Sequence, residues 1–177
     1  MNAITVEPIP SGRFILVPLG VGHAAEMTQV LSDPRLYAVT GGTPPTEDEL
    51  RARYKRWTAG SPDPDEIWCN WVIQLRSQPP VLAGTVQATI SGSRDQSDAE
   101  IAWIVGTPWQ GQGLATVAAQ ALVQWLRDNA IATITAHIHP DHRASAAVAT
   151  AAGLAPSDSW HDGERKWQLA TGTGRET

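Results

Sequence analysis

Two glycines, one residue apart, precede a helical run in the stretch WQGQGLATVAA at residues 109–119. Gly111 and Gly113 allow backbone conformations that a Cβ atom would resist, and they let a ligand approach the main chain closely. The helix that follows would present unpaired N–H groups and the positive end of its dipole, which together bind phosphate oxygens. The spacing therefore predicts a phosphate-binding turn, although a strand-to-helix turn that merely needs glycine would have the same pattern.

The loop carries no cationic side chain, because neither Lys nor Arg occurs between Arg94 and Arg127. An anion held here would depend on backbone amides, with Gln110 and Gln112 adding side-chain donors. Two other phosphate motifs do not fit. A P-loop needs Gly-Lys-Ser/Thr, which is absent, and a dinucleotide fingerprint needs a small sixth residue where Thr116 stands. The turn belongs to neither class.

Glu100 is a candidate for acid–base chemistry. It begins the β-rich run AEIAWIVG, in which the side-chain period of two puts Glu100, Ala102 and Ile104 on one face. A carboxylate at the buried edge of a sheet can serve as a general base. A solvated charge at the end of a strand is the alternative interpretation of the same residue.

The string HIHPDH, from His137 to His142, combines metal-ligating and titratable side chains. It resembles the zinc-ligand string of metallo-β-lactamases, and histidines two apart on a strand can bind one metal ion. That fold needs further His and Asp ligands downstream, where His161 is the only histidine left. Cys69 is the only cysteine, which excludes an internal disulfide and a multi-cysteine zinc site. A zinc-dependent hydrolase is therefore the weaker alternative.

Hydrophobic periodicity and turn residues predict seven strands and four helices in the order β-α-α-β-β-β-α-β-α-β-β. Thr46 and Glu49 form a capping box for the second helix, and Asp141 is placed to cap the fourth. Asp162 and Gly163 mark the turn of a C-terminal hairpin. This order predicts a mixed sheet with helices on its faces.

The composition is that of one folded domain, with 177 residues, 42% hydrophobic and 18% charged. We expect the domain to span residues 1–177, with a core at about 10–170 and a frayed tail TGTGRET. A net charge of −5 and a pI near 5.4 argue against a broad nucleic-acid surface. The N-terminal residues are unlike a signal peptide and no run is long enough for a membrane helix, so a cytoplasmic protein is expected.

The stretch AEIAWIVGTPWQGQGLATVAAQAL resembles the central motif of the GNAT superfamily of acetyl-CoA-dependent N-acyltransferases. Gln110, Gly113 and Ala115 match the family's Arg/Gln-x-x-Gly-x-Gly/Ala. The later stretch HPDHRASAAVATAAGL is similar to the family's Asn-x-x-Ser segment, with Ser145 on the serine and His142 where asparagine is usual. The N-terminal half, with SDPRLYAVTGG and VLAGTVQATI, is similar to the branch of ribosomal-protein alanine N-acetyltransferases.

The resemblance implies an α/β (α+β) fold. A single mixed, mostly antiparallel sheet of about seven strands would be splayed between its fourth and fifth strands, with about four helices. The resemblance also implies acetyl-CoA as co-substrate and no metal. The pantetheine arm would pair with the backbone of Ile104 and Val105. The remaining cofactor contacts would come from the glycine loop and the next helix start, namely Gln110, Gly111, Gln112, Gly113, Leu114, Ala115, Thr116, His142 and Ser145.

Acetyl transfer needs a base for the ammonium, donors for the oxyanion and a proton for the leaving thiolate. The resemblance assigns the base to Glu100 and the oxyanion to the N–H of Val105. Many relatives use a tyrosine near the fourth helix as general acid. Here the only tyrosines are Tyr37 and Tyr54, both far upstream, so Ser145 is the candidate acid.

The resemblance implies that a small-molecule amine or a protein N-terminal amine is the acceptor, held near Tyr37 and Trp68. We expect direct attack on the thioester, because Cys69 has no neighbouring histidine in the sequence to activate it as a nucleophile. No nucleic-acid or membrane partner is expected, and a homodimer stays open. A non-catalytic acyl-CoA-binding sensor of the same fold is the second alternative, since the usual asparagine and tyrosine are missing.

Overall fold

The computed structural model describes residues 4–93 and 96–170. Its strands are β1 (Ile9–Ser11), β2 (Phe14–Pro18), β3 (Glu66–Leu75), β4 (Val81–Ser93), β5 (Gln96–Val105), β6 (Thr133–Ile138), β7 (Ala155–His161) and β8 (Glu164–Ala170). Its helices are α1 (Ala24–Val30), α2 (Glu47–Thr58), α3 (Leu114–Asp128) and α4 (Arg143–Ala151). Within the described ranges the strands form one sheet in the order β1-β2-β3-β4-β5-β6-β8-β7, in which only β5 and β6 pair in parallel.

The predicted mixed fold is confirmed, with one additional short strand, β1, at an edge of the sheet. The predicted fourth and fifth strands are therefore β5 and β6. The predicted hairpin is also confirmed, since Asp162 and Gly163 have φ angles of 48° and 81° and join β7 to β8. None of the described helices is long and apolar enough to cross a membrane. The tail predicted to fray, at 171–177, lies outside the described residues.

The capping box predicted for α2 is present. The Thr46 hydroxyl accepts the Glu49 N–H at 3.3 Å, and the Glu49 carboxylate accepts the Thr46 N–H at 2.7 Å. One turn further on, Leu50 and Tyr54 lie four residues apart and are buried. The cap therefore fixes where α2 begins, and the i, i+4 pair fixes which side of the helix contacts the protein.

The sheet carries a separate hydrophobic core on each face. On one face, α3 and α4 pack against alternate side chains of the central strands, including the fully buried Trp71 and Ile73. On the other face, α1 and α2 pack against Val72 and Leu82. Neighbouring residues of β3 thus belong to different cores, as the pleat of a strand requires.

The parallel strands β5 and β6 share only a short ladder. Residues 98–100 pair with residues 133–135, whereas β4 pairs with β5 as far as Val105. Beyond Glu100 and Thr135 the two parallel strands are no longer partners. This gap is the splay that the family resemblance implied between the fourth and fifth predicted strands.

Gly84 lies where β4 approaches β5 beside the gap. A Cβ at residue 84 would lie 2.1 Å from the carbonyl oxygen of Ile104 and 3.0 Å from the Cα of Val105. On the other side of β4, the β3 register shifts by one residue between Ile73 and Gln74. Only glycine permits so close an approach, so the position of the end of β5 depends on it.

Gly84→Ala is expected to lower the free energy of unfolding by about 2 kcal/mol or more, because backbone must move to relieve the contact. Gly22→Ala is the matched control, since a Cβ at residue 22 meets no atom within 4 Å. Urea denaturation of both variants measures the difference. Equal stability of the two would contradict the close approach of β4 and β5.

Candidate functional site

A cleft of about 670 Å³ opens at the gap between β5 and β6. Its walls come from the two strand ends, the loop before α3, the first turns of α3 and α4, and a segment that follows α1. The predicted site residues that line the cleft are Glu100, Ile104, Val105, Gln110, Gly111, Gly113, Leu114, Ala115, Thr116, His142 and Ser145. Segments distant in sequence therefore meet here.

The backbone of Val105 faces the gap. Val105 and Gly84 are register partners, and the N–H of Gly106 donates to the carbonyl of Ala83 at 2.8 Å. In an antiparallel ladder this pattern makes Val105 and Gly84 a non-hydrogen-bonded pair. The N–H and C=O groups of Val105 therefore point away from β4, towards the space left by β6.

The loop before α3 ends in a left-handed residue that serves as the helix N-cap. Gly113 has a φ of 75° and offers no side chain to the helix. The N–H of Val117 makes the first intrahelical bond, to the Gly113 carbonyl at 3.1 Å. The N–H groups of Leu114, Ala115 and Thr116 precede that bond and have no α-helical acceptor. The start of α3 is therefore suited to an anion.

Both glutamines of this loop are engaged by the protein. The Gln110 side-chain amide donates to the Val105 carbonyl at 3.0 Å, and that of Gln112 donates to the Pro108 carbonyl at 3.3 Å. From the turn between β1 and β2, the Arg13 guanidinium donates to the Gln112 carbonyl at 2.7 Å. Gln110 lines the cleft and Gln112 does not, so the cofactor contact of Gln112 stays a prediction.

His142 caps α4, so the prediction that Asp141 does so is wrong. The Nδ1 atom of His142 accepts the N–H of Ser145 at 3.2 Å. An asparagine at the N-cap would make the same bond, because its Oδ1 is also attached to Cγ. Histidine can therefore replace the asparagine that is usual at this position. The hydroxyl of Ser145 makes no hydrogen bond among the described residues, and Ser145 borders the cleft.

Glu100 and His137 meet where the β5–β6 ladder ends. The Oε1 atom of Glu100 lies 3.0 Å from the Nδ1 atom of His137, and both residues line the cleft. The Glu100 side chain is 57% exposed. The expectation of a buried edge at this position is therefore wrong, and the carboxylate is open to whatever enters the cleft.

The two aromatic residues predicted to hold the acceptor lie outside the lining of the cleft. Tyr37 donates its hydroxyl to a backbone carbonyl at 3.0 Å. Trp68 shares a face of the sheet with Glu100, two strands away, and its indole N–H donates to Glu66 at 3.2 Å. Their role in acceptor binding stays a prediction.

One wall of the cleft was not indicated by the sequence. It consists of Arg35, Leu36, Val39 and Thr40. The Arg35 guanidinium lies 2.6 Å from the Asp33 carboxylate and holds the pKa of that carboxyl well below its usual range. The Asp33-Pro34 pair indicates only where α1 ends, because a turn signal carries no information about distant contacts.

Tyr54 and Cys69 do not line the cleft. Burial raises the pKa of the Tyr54 hydroxyl to about 12 and the pKa of the Cys69 thiol to about 12. Both groups are therefore protonated at neutral pH, and a buried thiol in that state is not a nucleophile. Neither residue can therefore supply a nucleophile to the cleft.

The histidines of HIHPDH make separate contacts. His137 faces a carboxylate of β5, His139 accepts the N–H of Asp141 at 3.2 Å, and His142 caps α4. Among the described residues, no three His, Cys, Asp or Glu side chains are grouped as a metal ion would need. The arrangement gives no support to the zinc hydrolase alternative.

The sequence matches the family model described as acetyltransferase (GNAT) domain over residues 13–155. This range covers most of the chain and includes β2 to β6, the loop before α3, and α4. No curated protein sequence matches the chain significantly.

Solved structures agree with the fold. The chain resembles an acetyltransferase (GNAT family) from Bacillus anthracis with a TM-score of 0.73 at 17% identity, over 93% of this chain and 98% of that chain. RimL, a ribosomal L7/L12 alpha-N-protein acetyltransferase in complex with coenzyme A, gives 0.74 at 17% identity over the same shares. The microcin C7 self immunity acetyltransferase MccE, in complex with acetyl-CoA and AMP, gives 0.73 at 15% identity over 90% and 93%.

His142→Ala is expected to lower the free energy of unfolding by about 1 kcal/mol, because α4 loses its cap. His142→Asn keeps an acceptor for the Ser145 N–H and is expected to stay within about 0.5 kcal/mol of the parent protein. Denaturation in urea compares the three proteins. An equal loss in both variants would mean that the imidazole stabilises α4 in some other way.

Proposed function

The chain belongs to the GNAT acetyltransferase family, and on that premise we propose that it moves an acetyl group from acetyl-CoA to a primary amine by direct attack. The acceptor is a small-molecule amine or a protein N-terminal amine. The observation that carries the proposal is the Val105 N–H, which faces the gap without a strand partner and is followed along the chain by the uncapped start of α3. The end of β5 followed by the start of α3 suits a ligand such as acetyl-CoA, in which an extended arm leads to phosphate groups.

The gap beyond the β5–β6 ladder suits the pantetheine arm. Ile104 and Val105 line it, and Val105 directs its N–H there, while its C=O accepts the Gln110 side-chain amide. The pyrophosphate fits the start of α3, where N–H groups follow Gly113 without a side-chain cap. The loop itself has no Lys or Arg, so the positive field comes from the helix dipole and from the Arg13 guanidinium, which donates to the Gln112 carbonyl. The first turn of α4 borders the same space.

Three groups divide the chemistry in this proposal. Glu100 takes a proton from the acceptor ammonium, directly or through water, which frees the nitrogen lone pair for attack. The N–H of Val105 donates to the oxyanion of the tetrahedral intermediate. The Ser145 hydroxyl passes a proton to the departing thiolate, directly or through water, and regains one from the nitrogen of the collapsing intermediate, so the serine ends as a hydroxyl.

The acceptor approaches over the face of the sheet that holds Glu100. Beside Glu100 this face is polar and partly exposed, with Thr89 and Gln87 on β4 and Asn70 on β3. RimL, which shares the fold, is a ribosomal protein acetyltransferase. A protein N-terminus is therefore one acceptor to test, beside small amines.

Gly113→Asp is expected to weaken acetyl-CoA binding at least 100-fold, because it adds a negative charge where the pyrophosphate would bind. A Cβ at residue 113 meets no atom within 4 Å, so the effect is not one of crowding. Calorimetric titration with acetyl-CoA measures the affinity.

Gly60→Asp is the matched control for backbone strain. Gly60 has a φ of 90°, a Cβ there also meets no atom within 4 Å, and the residue does not line the cleft. We expect this variant to bind acetyl-CoA like the parent protein. Unchanged affinity in Gly113→Asp would refute the assignment of the loop, and no binding by the parent would refute the proposal.

Glu100→Gln is expected to lower kcat at least 100-fold with acetyl-CoA affinity within about twofold of the parent protein, since the amide cannot accept the proton. Release of free thiol is followed with an N-terminal peptide, spermidine, an aminoglycoside and a free amino acid as acceptors. Wild-type kcat in the variant would exclude Glu100 as the base. Binding of acetyl-CoA without turnover of any acceptor would favour the sensor alternative.

A further inference from the structure

The pair formed by Glu100 and His137 holds one oxygen of the carboxylate and leaves the other free. The Nδ1 atom of His137 contacts Oε1 at 3.0 Å, while Oε2 has no hydrogen bond among the described residues. The His137 side chain is 19% exposed against 57% for Glu100. The imidazole is thus largely enclosed by protein, and the free carboxylate oxygen belongs to the exposed partner.

The Glu100–His137 pair also links β5 to β6. Glu100 and Thr135 form the last rung of the β5–β6 ladder. His137 lies two residues beyond Thr135 on the same face of β6, because side chains alternate along a strand. The contact with Glu100 is therefore the next link between the strands after the backbone ladder ends. It fixes the carboxylate relative to both walls of the gap.

We propose that His137 is a positioning residue for Glu100, a proposal that rests on the function proposed above. With its proton on Nδ1, the neutral imidazole donates to Oε1 and holds Oε2 towards the acceptor ammonium. The proton then moves from the acceptor nitrogen to Oε2. An N–H bond breaks, an O–H bond forms, and the nitrogen keeps the electron pair that attacks the thioester. His137 retains its own proton throughout.

Other charged groups face His137 at longer range than Glu100. The nearest ring is that of His161, whose centroid lies 5.7 Å away, and Lys166 is the register partner of His137 on β8. The titratable and charged groups on this side are Glu100 from β5, His139 just after β6, His161 and Asp162 from the end of the β7–β8 hairpin, Glu164 and Lys166 from β8, and Arg35 from the cleft wall after α1. Within the described residues, Glu100 alone contacts the His137 ring at hydrogen-bonding distance.

Two substitutions at His137 test the hydrogen bond. His137→Ala removes the donor, and we expect kcat at pH 8 to fall roughly 10- to 100-fold because the carboxylate is no longer held. His137→Asn keeps an N–H donor at the position of Nδ1 and is expected to keep kcat at pH 8 within about threefold of the parent protein. KM for acetyl-CoA stays unchanged in both variants.

His139→Asn is the matched control. It removes another histidine one residue beyond the end of β6, and His139 contacts Asp141 locally rather than Glu100. This variant is expected to keep the kcat of the parent protein at pH 8. Wild-type kcat in His137→Ala would overturn the proposal, as would a loss in His137→Asn as large as the loss in His137→Ala.

A spectroscopic readout tests the contact without any acceptor. Imidazole ¹⁵N shifts report which ring nitrogen carries the proton, and the His137 signal is assigned by its loss in His137→Asn. We expect the proton of neutral His137 on Nδ1 in the parent protein and a smaller Nδ1–H share in Glu100→Ala. The same share in both proteins would overturn the proposal. Failure of every acceptor to react, with this coupling present, would instead count against the proposed function alone.

Discussion

The separation of β5 from β6 is the constraint on which the rest of the structure depends. A strand inside a sheet normally has its backbone groups satisfied on both sides, and beyond residue 100 β5 has a partner on one side only. The exposed side holds Val105, and the strand leads within a few residues to the start of α3. The gap and the uncapped helix are therefore consecutive parts of one binding surface.

Gly84 and the Glu100–His137 pair lie at the two ends of that gap and hold β5 in place there. Because residue 84 is glycine, β4 can lie close to the end of β5. The end of β5 is therefore held by β4 where it no longer pairs with β6. The side-chain pair ties β5 to β6 where their ladder ends. Between these two points the backbone of β5 is available to a ligand, and the catalytic carboxylate of the proposal lies at the edge of the opening.

Local signals allowed much of this arrangement to be predicted from the sequence. The glycine loop, the period of two around Glu100, the Thr46 capping box and the hairpin turn each depend on a few neighbouring residues. The contact between Glu100 and His137, and the wall at Arg35, depend on how distant segments pair. The cap of α4 was assigned to Asp141 instead of His142 because both side chains can accept a hydrogen bond. Which of them lies at the N-cap depends on the path of the chain after β6.

The two hydrophobic cores on opposite faces of the sheet have a consequence for how such a chain can change. One core joins the sheet to α3 and α4, the other joins it to α1 and α2, and Trp109 packs against both. Substitutions in the α1–α2 layer can reshape the approach to the cleft while the opposite core stays intact. If the acceptor and acetyl-CoA bind as proposed, acceptor choice and cofactor binding can change separately in evolution, since Trp109 is the residue that packs against both cores.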